Sequence, residues 1–144
     1  MRRGGLAVVL AALAVSGCSV RADIEVTGPL ERPRAMIVDH GGARTWRTAC
    51  VERVEVRREG DRWSEPYWSI QAVGEGCLWL EEVSYGETPQ GFTRESGPGR
   101  LEPGVPYEVF IQGSTRGLAS VPWVAGGWIE FANGGWRVAP WSLP

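Results

Sequence analysis

Lysine is absent from the chain: all fifteen basic residues are arginine, they face seventeen carboxylates, and they gather into no basic patch. Without such a patch to neutralise phosphates, nucleic acid is excluded as a partner. Histidine occurs once, as His40, and cysteine three times. Once one of those cysteines is assigned to an anchor (below), two thiols and one imidazole remain, too few for a four-ligand zinc set. Cys-x-x-Cys, an Asp-rich calcium loop and a Gly-rich phosphate loop are missing too, so no metal and no cofactor is expected. The longest unbroken apolar run has ten residues, 6–15, about half of what a helix needs to span a bilayer. No internal repeat and no long amphipathic helix is present.

Catalytic constellations are equally scarce. Asp39-His40-Gly41-Gly42 has the look of an esterase oxyanion loop, but the Gly-x-Ser-x-Gly elbow such enzymes require is missing. In Gly113-Ser114-Thr115-Arg116-Gly117 the serine stands one place too early, so residues 39–42 read as a turn after a strand. Glu81-Glu82 is the only adjacent carboxylate pair, and neighbours on a strand point to opposite faces. The expectation is a protein that is not an enzyme.

The N-terminus carries a clear pattern. Arg2 and Arg3 precede the apolar run, and Val15-Ser16-Gly17-Cys18 follows it. This is a secretory signal over residues 1–17, and its end resembles a bacterial lipobox. The resemblance implies acylation of Cys18, with two or more chains as a stable anchor. Ser19, where an Asp would favour the inner membrane, implies the periplasmic face of the outer membrane. Residues 18–23 then read as lipidated cysteine and tether, and 24–144 as one folded domain. Removing the signal takes two arginines and no carboxylate, leaving thirteen against seventeen, a formal −4.

Twenty glycines and ten prolines spread along the chain impose short strands and frequent turns, hence an all-β domain. Residues 24–26 and 35–38 read as strands, 51–56 and 67–73 as a hairpin centred near Trp63, and 78–85 as a fifth strand. Residues 93–100 read as a polar crossover. A last hairpin joins 128–131 to 136–138 through Asn133-Gly134-Gly135, where Asn-Gly supplies the positive φ that tight turns need. Cys50 and Cys77, an even pair in an exported chain, fall at the open end of the first hairpin and read as a disulfide.

Leu101-Glu102-Pro103-Gly104-Val105-Pro106-Tyr107 leads into alternation of Tyr107, Val109 and Ile111 with Glu108, Phe110 and Gln112. A tyrosine after a Leu-x-Pro-Gly turn resembles the tyrosine corner of immunoglobulin-like and fibronectin type III domains. The resemblance implies an immunoglobulin-like sandwich of seven to nine short antiparallel strands, with the Tyr107 hydroxyl bonded to backbone just upstream. Taken with the lipobox, the chain resembles small bacterial lipoproteins carrying one such domain. Eight tryptophans, at 46, 63, 68, 79, 123, 128, 136 and 141, exceed what one core of this size requires. Trp68 and Trp79 are expected inside. Trp128 and Trp136 read as cross-strand neighbours on an outer face, a candidate platform for a glycan, peptidoglycan or partner protein. The expected function is a membrane-anchored envelope module for structure or protein interaction, with carbohydrate binding through tryptophan as the alternative.

Overall fold

A computed structural model describes residues 20–39, 46, 48–61, 65–115 and 120–141. The expected signal segment, Cys18, His40 and Trp63 lie outside the described residues. Strands account for 58% of those described and no helix occurs among them. In chain order they are β1 (Val20–Thr27), β2 (Arg34–Asp39), β3 (Ala49–Arg58), β4 (Trp68–Ala72), β5 (Leu78–Leu80), β6 (Val83–Ser84), β7 (Phe92–Ser96), β8 (Tyr107–Ser114), β9 (Pro122–Ala132) and β10 (Gly135–Ala139).

All ten belong to one sheet, with the order β6-β2-β1-β9-β8-β3-β4-β7, β10 added to β9 and β5 to β3. The sheet is mixed and curls into a half-barrel. The expectation of purely antiparallel strands needs correction, because β1 runs parallel to β9, pairing Val20 with Trp123 and Ala22 with Ala125. From Ala22 onward β1 pairs antiparallel with β2. One strand therefore serves two neighbours in succession and joins the two arms of the curl. The expected tether also needs correction: residues 20–23 belong to β1, because Ala22 is fully buried in the core.

Alternation explains β8, where Tyr107, Val109, Ile111 and Gly113 are buried and the residues between them are half-exposed. Gly113 is required by a close approach, since a Cβ there would run into the Trp123 ring and the Cys50 carbonyl. The second hairpin turns through Asn133 at φ 54° and Gly134 at φ 77°, the paired positive values of a two-residue turn. The crossover expected at residues 93–100 instead opens with β7, whose Phe92 and Ser96 point inward. The Ser96 hydroxyl lies 2.9 Å from that of buried Ser69, so each satisfies the other.

The core draws on both arms: Ile24, Ala35, Ile37 and Val83 from one, and Val54, Ile70, Val109, Ile111 and Ile129 from the other. Trp68 packs edge-on against Tyr85 at 5.4 Å, and Trp46 against Trp123 at 5.3 Å. Trp68 and Trp123 are fully buried, and each side chain of that kind contributes roughly 1.5–3 kcal/mol. Between the arms remains a gap of ≈ 20 Å³, walled almost entirely by apolar groups including Val26, Ala35, Val54 and Trp68.

Candidate functional site

Tyr107 is fully buried and its hydroxyl accepts a 3.0 Å hydrogen bond from the Glu102 N–H, five residues upstream. Leu101 is buried beneath that loop. Pro103 is exposed, and Gly104, at φ 72°, donates its N–H to the Phe131 carbonyl. The loop is thereby held to both β8 and β9. A second buried phenol, unanticipated from the sequence, parallels it: the Tyr85 hydroxyl donates to the Gly99 carbonyl at 2.7 Å. Burial is the main cause that pushes both phenols above the ordinary tyrosine value, Tyr85 the further. These groups brace the loop from 97 to 104, which gives them a structural task.

Cys50 and Cys77 are joined, with Cα atoms 5.1 Å apart. The bond fastens the segment before β5 to β3, where Cys50 pairs with Trp79. Ser114 of β8 closes over it, its hydroxyl 3.6 Å from the Cys77 sulfur.

The tryptophan platform requires correction. A two-residue turn sets the β9–β10 register, so Trp136 faces Phe131 and Trp128 faces Ala139. Trp136 packs edge-on to Phe131 at 5.2 Å, leans against the core and donates its indole N–H to the Gly28 carbonyl. Trp128 lies on the other face, opposite Glu108 of β8. The two rings are thus on opposite sides of the sheet. Trp68 is buried as expected, but Trp79 is 49% exposed.

What the outward face does assemble is a mixed aromatic and charged surface across β3, β8 and β9. Register places Arg57, Glu108 and Trp128 in one row, and Glu55, Phe110 and Gly126 in the next. Gly126 carries no side chain where the Trp141 indole lies against the sheet; a Cβ would overlap that ring. Trp141 stacks obliquely on Phe110 at 5.9 Å, and the Arg21 guanidinium caps it at 5.1 Å while donating to its carbonyl. Beside these rings, Glu55 bridges Arg53 at 2.7 Å and Arg57 at 3.0 Å, and Arg53 reaches on to Glu95. A depression of about 190 Å³ opens between Glu55, Arg57, Glu108 and Phe110. Rings flanked by fixed charges suit a polypeptide partner, since aromatics and arginine are the side chains that anchor interfaces. Phe110 and Trp141 escaped sequence reasoning, although Phe110 alternates outward from Tyr107 and Val109 and so declares its side. Searches against protein-family models, curated proteins and solved structures find no match to the chain.

Proposed function

We propose that the chain is a lipid-anchored protein of the cell envelope whose β body is a protein-interaction module without catalytic activity. The observation that carries the module is the outward grouping of Phe110, Trp128 and Trp141 beside the Arg53–Glu55–Arg57 ion pairs on β3, β8 and β9. The lipobox around Cys18 carries the anchor. An outer-membrane location facing the periplasm follows from Ser19.

The finer fold assigned to this module is an immunoglobulin-like sandwich. Three features support it: the switch of β1 between β9 and β2, the two arms lining one apolar gap, and the Tyr107–Glu102 bond at the start of β8.

Two experiments test the proposal separately. Cys18→Ala is expected to move the protein from the membrane fraction to the soluble periplasm; retention in membranes refutes the anchor. A photo-crosslinker at position 110 in the native envelope is expected to give discrete protein adducts that Trp128→Ala abolishes. Adducts that are absent, or unchanged by Trp128→Ala, refute the module. Retention of the protein on purified peptidoglycan, lost with Trp128→Ala, would favour the carbohydrate reading instead.

A further inference from the structure

We propose that the end of the β body bearing Val20, Val73 and Trp79 rests on the bilayer surface, with the Trp79 indole in the headgroup layer. This rests on the anchor reading above and adds the face, the orientation and the residue that meets the lipid.

Register places these residues at one end of the sheet. Val20 pairs with Trp123, Trp123 with Gly113, Gly113 with Val51, and Val51 with Leu78, the neighbour of Trp79. That row crosses four strand spacings, roughly 19 Å along the curve at ~4.8 Å each. On β4, Gln71 pairs with Arg53, so Val73 leaves the sheet two residues further toward the same end. Val20, Val73 and Trp79 are 44%, 66% and 49% exposed, and they are the large hydrophobic residues exposed among those described. Glu75 is exposed beside them, whereas the opposite end presents Glu59, Asp61 and Glu102.

Chain length selects a lipid surface as the occupant. Cys18 and Val20 are two residues apart, at most ~7 Å along an extended backbone. The headgroup layer of one leaflet is itself ~5–8 Å thick. An acylated Cys18 therefore holds the start of β1 at the bilayer, with no slack for the body to stand away. Tryptophan suits that depth, because its ring favours the interface while its N–H finds polar partners there. The strands then rise from the membrane, and the Phe110–Trp128 face stands sideways, open to a partner in the periplasm.

The test uses the mature lipidated protein in phosphatidylcholine vesicles with brominated or ordinary acyl chains. The protein is expected to float with both, with tryptophan emission quenched by the brominated lipid. Trp79→Phe is expected to float equally and lose most of that quenching, while Trp136→Phe, near the far hairpin, keeps it. Val73→Asp is expected to float yet weaken the quenching, giving a second variant at an exposed site where folding is not at stake. Flotation without quenching, or quenching that Trp79→Phe leaves unchanged, overturns the orientation and spares the anchor. Failure of the unmutated protein to float overturns the anchor, and the orientation falls with it.

Discussion

At the residue scale the two phenols are the most exacting contacts. Tyr107→Phe would leave the Glu102 N–H without its partner, and Tyr85→Phe would do the same to the Gly99 carbonyl. Each is expected to cost about 1–3 kcal/mol in urea unfolding, with no change in the slope that would signal a different unfolded state. Both phenols have folded-state values above the ordinary tyrosine pKa of ~10. The unfolded chain therefore loses these protons first as pH rises. Their contribution to stability is complete below pH ~10 and is lost progressively above it. Melting temperature should fall above that pH, and the combined Tyr85→Phe, Tyr107→Phe variant should show a shallower fall. Tyr107 was legible because its corner is local, five residues from its partner. Tyr85 was not, because its partner lies fourteen residues away and nothing in Val83-Ser84-Tyr85 announces it. Trp79 was misjudged for another reason: Leu78, Trp79 and Leu80 are all apolar, so alternation assigns no side to a strand of three.

At the scale of elements, the disulfide closes a separation of 27 residues. In the chain-entropy model this is worth ~3–4 kcal/mol, and reduction by a mild thiol reagent should lower urea stability by about that amount. The pairing was readable from two alternating stretches flanking one polar connector. The β9–β10 hairpin was readable too, and its register follows from the turn. With the turn at Asn133 and Gly134, Ala132 faces Gly135, and Phe131, not Trp128, must face Trp136. β7 was missed because Thr93, Arg94 and Glu95 point outward, leaving two inward residues as its whole apolar signature. The first four residues of β1 were missed likewise, since Arg21 and Asp23 alternate with only Val20 and Ala22.

At the scale of the molecule, the arms of the curl are joined where β1 meets β9 in parallel, a pairing of chain segments about one hundred residues apart. No local pattern encodes such a partner, which is why strand content was legible and the mixed sheet was not. The Arg21–Trp141 contact reinforces the same junction from outside. Trp141→Ala would remove the ring that lies against Phe110 and under the Arg21 guanidinium, and is expected to release the C-terminal segment. Limited proteolysis should then remove residues after 139 faster than in the unmutated protein, while the core melts within a few degrees of its original temperature. The proposed anchor, the proposed membrane-facing end and the proposed periplasmic setting all require that the mature chain begin at an acylated Cys18. Mass spectrometry of the N-terminal peptide from membrane-fraction protein measures this directly. The account predicts a peptide starting at Cys18 and carrying a diacylglyceryl group with a further acyl chain. An unmodified peptide starting at any other residue would contradict it.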